Sequence, residues 1–433
     1  MCLYHAAWRE SVFIIYCFFS LDVIRTGLKE ALFNFEGGCM QSLRIGNEEL
    51  QYEMELLSSG FPGKQTRSFT EDLEKSFAVK FGSRYAIAMC NGTATLHAAL
   101  AAVGVGPGDE VIVPPLTMAS TSLAVLHAGA RPVWADVDPE TFVLSAATVT
   151  PHIGAASKAI MPVSLYGLPA PVKELANFSL PIIEDSAQCF LGRIDGEIAG
   201  TIGAIGSFSF QNSKHMTCGE GGITVTDDPN LALKMRRFSS LGYDQLSAEP
   251  GKMKIEKKSI AHPDTIRHVD FGFNYRLSEL CAAVALAQLE KLDSMVAMRQ
   301  KCAQAFLQVI EECPFLTAQK TPLGVEHSYW AVAAQLDTDF VSWDDFYNTF
   351  CCNGGDGFYG AWRLTYQEPF FAKHFPGTHC PVAERLQKRM VQFKTHYQSD
   401  SEIDREIKAL EATIRHFDKR RTGIIGTRET SDL

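Results

Sequence analysis

Residues 85–102 read YAIAMCNGTATLHAALAA: a short apolar run, a polar turn at Asn91-Gly92-Thr93-Ala94-Thr95, then a stretch of alanine and leucine. A strand, a turn and a helix in direct succession is the repeating unit of an α/β fold. Taken alone, Asn-Gly is equally the turn of a β-hairpin. The rest of the chain selects between the two. Further apolar runs at 110–113, 132–137, 159–163, 180–183, 207–210 and 222–226 alternate with helical stretches, and each is closed by Gly, Pro, Asn or Asp. That alternation predicts an α/β architecture with a mostly parallel seven-stranded sheet between two layers of helices.

Outward from the sheet, Ser68-Phe69-Thr70-Glu71 has the spacing of a capping box, and Phe69, Leu73 and Phe77 recur every fourth residue until Gly82. One amphipathic helix with a glycine stop is expected there. On the far side Ala282, Leu286, Leu289, Leu292 and Val296 step by three and four, which predicts a long helix leaving the sheet. Beyond residue 298 helical segments mix with aromatic loops, and 401–417 is helical again, so a smaller C-terminal α+β domain is expected. The expected division is an N-terminal extension over 1–45, a large domain over 46–297, a small domain over 298–420 and a tail over 421–433.

The 433 residues are 46% hydrophobic and 21% charged, enough to bury a large core and a smaller one. A formal net charge of -10 excludes a general nucleic-acid binder, because neutralising phosphates takes an excess of Lys and Arg. The twelve cysteines form no CxxC pair and are read as reduced, buried thiols; no metal site is expected. The run 11–21, SVFIIYCFFSL, is shorter than the ~20 residues a membrane span requires. It lacks a signal peptide's cleavage motif, and Asp22, Arg25 and Lys29 interrupt it. An N-terminal extension, or a start at Met40, accounts for it, and a cytoplasmic protein is expected.

Ligands of open α/β sheets gather at the carboxyl ends of strands. Three such places carry chemistry. At Asn91 to Thr95, a helix N-terminus with a glycine and a hydroxyl suits an anion. At 180–188, LPIIEDSAQ, an apolar run ends in two acids, and Asp185 is suited to hold a protonated heterocyclic nitrogen. At 207–222, SFSFQNSKHMTCGEGG, a strand is followed by Lys214, a candidate Schiff-base amine. Each has a plain structural reading too: a turn, a strand-end cap, a solvated lysine. The three gain weight together.

Five motifs in this order, NGTATLHAAL at 91, GPGDEVIVPPLT at 106, EDSAQ at 184, SFSFQNSKHMTCGEGG at 207 and GFNYRLSELCAAVALAQLEKLD at 272, resemble the DegT/DnrJ/StrS family of sugar aminotransferases, which have fold type I of the pyridoxal-phosphate enzymes. The similarity runs from about residue 46 to 417. It implies that Lys214 carries pyridoxal 5'-phosphate as a Schiff base and moves protons. It implies that Asp185 pairs with the ring nitrogen and that Gln188 touches the ring hydroxyl. Gly92, Thr93 and Ser209 would hold the phosphate, and Asn274 would reach the phosphate of a neighbouring subunit, making a homodimer with shared sites. The implied partners are a glutamate or glutamine donor and a keto-sugar or keto-cyclitol acceptor, with no membrane and no nucleic acid.

Met118 stands where most relatives stack an aromatic residue on the ring, and its polarisable sulfur is expected to pack there instead. Dehydratases of the family carry His at the lysine position; here Lys214 precedes His215, which favours transamination. His327 and Tyr329 resemble the family's segment near the substrate, although a buried structural histidine is the simpler reading of His327. The loop 353–362, NGGDGFYGAW, suits a substrate lid or a tight connection, and 252–258 a solvated charged loop. A dehydrogenase is excluded because Pro107 interrupts the glycine pattern 104–108 and a strand follows it. A sugar dehydratase and a non-catalytic binding member remain as alternatives.

Overall fold

The computed structural model describes residues 44–59, 61, 66–250 and 262–421. The apolar run 11–21, the charged loop 252–258 and the tail lie outside them.

All seven expected runs form strands: β1 Tyr85–Met89, β2 Glu110–Val113, β3 Arg131–Trp134, β4 Ser157–Ile160, β5 Ile183–Asp185 and, after a two-strand ribbon of β6 Arg193–Ile194 and β7 Glu197–Ile198, β8 Ile205–Ser209 and β9 Gly222–Thr226. Their order is β1-β9-β8-β5 and then β4-β2-β3. The two parts join through parallel bridges Ile160–Ile182 and Val163–Asp185, with the Asp185 amide donating to Pro162 O at 2.9 Å. Pairing is parallel except at β9, which runs antiparallel to both neighbours. Strand boundaries differ from the apolar runs where ladder bonding, not hydrophobicity, decides. Pro162 has no N–H, so β4 stops at Ile160 although Met161 and Val163 stay buried. β5 begins only at Ile183, past Pro181, and reaches Asp185 as its last residue.

Both faces of the sheet are covered. Tyr85, Ile87 and Met89 of β1 join one core with Leu96 and Leu100, whereas Ala86 and Ala88 join another with Phe69, Leu73 and Phe77. The period of two therefore sends alternate residues into two dry layers. Helix α1 spans Asn47–Ser59 and α2 Phe69–Phe81, whose Ser68 cap accepts the Glu71 amide and whose Gly82 ends the helix at φ 72°. Only half of the expected capping box forms. Glu71 pairs with Lys75, and Glu279 takes the Phe69 and Thr70 amides and the Ser68 hydroxyl. On the other face lie α3 Gly92–Ala102, α4 Ser120–His127 and α5 Pro229–Ser239.

The single long helix expected through 282–296 is two, α6 Glu279–Glu290 and α7 Leu292–Glu311, broken at Lys291 (φ -102°, ψ 8°). Leu292 and Val296 pack with α2, while Cys302, Phe306 and Ile310 pack with a further core. That core surrounds an antiparallel sheet of β10 Leu316–Ala318, β12 Ala331–Leu336 and β13 Met390–Lys394; β11 Val325–Glu326 pairs with β6 instead. Helices α8 Trp343–Cys352 and α10 Asp400–Arg421 complete it, whereas α9 Pro381–Arg389 sends Ala383 and Leu386 into the core shared with Leu96 and Leu100. Among the described residues no helix is long and apolar enough to cross a membrane. Of the nine described cysteines, Cys189, Cys302, Cys313 and Cys380 are buried as expected, but Cys351 and Cys352 are exposed.

Candidate active site

Because β1, β5 and β8 point the same way, their carboxyl ends meet at one edge of the sheet. Between them lies a cavity of about 420 Å3, lined by Gly92, Thr93, Met118, Asp185, Gln188, Ser209 and Lys214 together with Asn91, Glu220 and Trp362. A cavity of that size suits a cofactor with part of a substrate.

One end is built for an anion. Asn91 caps α3 by accepting the Ala94 amide at 2.8 Å, which leaves the Gly92 and Thr93 amides at the cavity end of an eleven-residue helix. Thr95 fastens this helix to the sheet, donating to Gly92 O at 2.6 Å and sharing a 2.7 Å bond with the Ser207 hydroxyl. A Cβ on Gly92 would sit 2.8 Å from Cβ of Ser209, so only glycine lets the two close in around a bound group.

The other end is acidic and dry. Asp185 is 5% exposed; its Oδ2 accepts the Thr121 hydroxyl at 2.8 Å and its Oδ1 the Ala187 amide at 3.2 Å. Burial pushes its carboxyl up, against the downward pull of those two donors and of the Lys214 charge. Its neighbour Glu184 faces away and accepts the Gly200, Ile202 and Gly203 amides. Gln188 accepts the Tyr166 amide on its carbonyl at 2.8 Å and lines the cavity. Tyr166 itself is held at φ 61°.

Lys214 lies between these ends, its Nζ 5.2 Å from the centre of the Trp330 ring. Burial is the largest influence on its amine; with the nearby Arg299 charge it outweighs Asp185 and Glu220 and brings the pKa down to about 8. An amine so placed is a usable nucleophile and base near neutral pH.

Three residues singled out in the sequence lie elsewhere. Asn274 is exposed, pairs through the backbone with Ser240, and is absent from this cavity's walls. His327 is buried; its Nδ1 accepts the Tyr329 amide at 2.8 Å and its Nε2 meets Gln319 Oε1 at 3.2 Å. Its ring stacks on Tyr329 at 3.8 Å, and burial pushes its pKa down to about 3. Neither His327 nor Tyr329 lines the cavity. Met118 does, 53% exposed at its rim. Sequence reasoning passed over Thr121, Glu220 and Arg299, saw Trp330 only beside His327 and Tyr329 in the substrate-side segment, and saw Trp362 only as part of a loop. Glu220 sat inside GEGG and Trp362 beside a glycine cluster, which were the available signals.

A free helix N-terminus, a buried carboxylate and an amine of lowered pKa match the phosphate, ring nitrogen and aldehyde of pyridoxal phosphate, so the residues present fit that cofactor. A sequence profile of the DegT/DnrJ/EryC1/StrS aminotransferase family matches residues 44–410. A GDP-perosamine synthase of Caulobacter vibrioides is 36% identical over 298 residues, covering 68% of this chain and 76% of the relative. An aminotransferase from Psychrobacter cryohalolentis superposes with a TM-score of 0.78 at 27% identity, covering 86% of this chain and 98% of that one. DesV of S. venezuelae, solved in complex with a ketimine intermediate, gives 0.74 at 26% identity, covering 89% and 97%. With five ordered motifs, one cavity lined by residues of four of them and a profile match over most of its length, the chain belongs to the DegT/DnrJ/EryC1/StrS aminotransferase family.

Proposed function

We propose that the protein moves an amino group from glutamate or glutamine to a keto-sugar, nucleotide-linked as the product named for its GDP-perosamine synthase relatives is, or to a keto-cyclitol. The observation that carries this reading is the convergence of Lys214, Asp185 and the α3 N-terminus on one cavity. Pyridoxal phosphate, when bound, supplies an electron-accepting ring that stores the amino group between two half-reactions. The chain does the rest. The Gly92 and Thr93 amides, with the Thr93 and Ser209 hydroxyls, would hold the phosphate, Asp185 would keep a proton on the ring nitrogen, and Gln188 would contact the ring oxygen. The Lys214 amine would serve as the acid and base for the substrate's carbon-bound proton. Trp362 and Met118 flank the space left for the acceptor.

The same reading makes the protein a homodimer with shared sites. Asn274 is exposed, and it follows the exposed apolar side chains Ile266, Val269 and Phe271, which a second copy would cover. It also places the chain in the cytoplasm. Asn91-Gly92-Thr93 is an N-glycosylation acceptor, yet Asn91 is turned inward as a cap and lines the cavity. A glycan there would block the site.

Visible absorption of the purified protein with pyridoxal phosphate, and its loss in Lys214→Ala, test the cofactor assignment. A protein that stays colourless is a binding member of the family. Mass spectrometry of products from keto-sugar nucleotides and keto-cyclitols then identifies the acceptor, and loss of water from a deoxy-sugar nucleotide without an amino donor marks a dehydratase.

A further inference from the structure

Lys214 is gripped from behind by residues outside the cavity. Arg299, in the middle of α7 and 4% exposed, donates from Nη2 to the Lys214 carbonyl at 3.3 Å and from Nη1 to the Trp330 carbonyl at 3.0 Å and the Thr395 hydroxyl at 3.1 Å. Trp330 donates its indole N–H to the Ser213 carbonyl at 2.8 Å and lays its ring beside the Lys214 amine. The contacts close a circuit: Lys214 to Arg299, Arg299 to Trp330, Trp330 to Ser213, Ser213 to Lys214. Gly167 bears on the same backbone, since a Cβ there would fall 2.7 Å from the Trp330 nitrogen. A lysine side chain has four rotatable bonds, so its reach is defined only if the backbone carrying it is fixed.

We infer that Arg299 is the positioning residue for Lys214: it fixes the turn that carries the lysine and presents a permanent charge to its amine. The inference rests on the reading of Lys214 given above. Among the described residues, Asp185, Glu220 and Arg299 are charged groups that act on this amine. The two carboxylates favour the ammonium form; Arg299, which is never deprotonated, opposes it together with burial. A neutral residue at 299 therefore lets the amine hold its proton to higher pH.

Trace acetylation of the full chain freed of cofactor, so that the Lys214 amine is not held in a Schiff base, is followed over a pH series peptide by peptide by mass spectrometry and reports this titration without turnover. The wild-type Lys214 midpoint is expected at about 8. Arg299→Gln raises it by ~1 unit, and Arg299→Lys, which restores the charge, brings it back. Surface lysines such as Lys75 serve as the internal reference. An unchanged midpoint in Arg299→Gln overturns the inference while leaving the role of Lys214 intact. A wild-type Lys214 that titrates with the surface lysines overturns both. Should Arg299→Gln fail to fold, Trp330→Phe keeps a ring beside the amine but removes the bond to Ser213. Severalfold faster labelling of Lys214 is expected from the loosened turn, and an unaltered rate counts against the circuit.

Discussion

Glu184 and Asp185 are adjacent acids at a strand end, and the backbone assigns them opposite work: alternate strand residues face opposite sides, so Glu184 anchors a turn and Asp185 faces the cavity. The strand-end rule made Asp185, Lys214 and the Asn91 turn legible because each sits where its own segment puts it. Thr121 was not legible: it meets Asp185 across 64 residues, and nothing near it in the sequence announces an acid. Its hydroxyl stabilises the ionised carboxylate, so Thr121→Val raises the Asp185 pKa further. Because catalysis uses the ionised form, the acid limb of the pH–rate profile moves to higher pH. Steady-state rates of both proteins across the acid range check this; coincident limbs would mean the hydroxyl does not influence the carboxylate.

Helices and strands were foreseen where local pattern decides them and misplaced where a distant partner does. The α2 start was read as self-capping, yet Glu279 of α6 supplies the carboxylate, a tertiary substitution for a local device. The 282–296 pattern continues through Lys291, where the backbone nevertheless breaks, because apolar spacing reports which face is buried and not whether the axis stays straight. Glycines within the sheet carry a sharper constraint. A Cβ on Gly206 of β8 would run into the Gly200 carbonyl, whereas one on Gly106 meets nothing. Gly206→Ala is expected to cost about 3 kcal/mol or more, and Gly106→Ala close to nothing. Urea unfolding midpoints compare the two, and equal midpoints would refute the steric account.

For the whole molecule, shared sites make a quantitative prediction. If Asn274 serves the partner's site, inactive Lys214→Ala and Asn274→Asp chains mixed and allowed to exchange regain about a quarter of wild-type turnover, because half the dimers are mixed and each has one intact site. No regain of activity would leave each chain self-sufficient. Acid stability follows from two buried histidines. Burial, joined at His97 by the neighbouring His127 charge, holds His97 at about 4, and burial holds His327 at about 3. Both lie below the ~6.5 of an unfolded chain. A depressed folded pKa stabilises above the unfolded value and ceases to do so as pH falls through the folded one. Urea midpoints are therefore expected to decline from about pH 6.5 downward, less steeply in His327→Gln; equal slopes would assign the decline to other groups. The reversed strand has a last consequence. Since β9 returns beside β8 with Ser209 opposite Gly222, the lysine-bearing segment departs from and lands on one rung of the ladder. It is a handle bolted at both feet to a single plank, so a tilt of that plank swings the amine, the phosphate seat and the sheet edge as one piece.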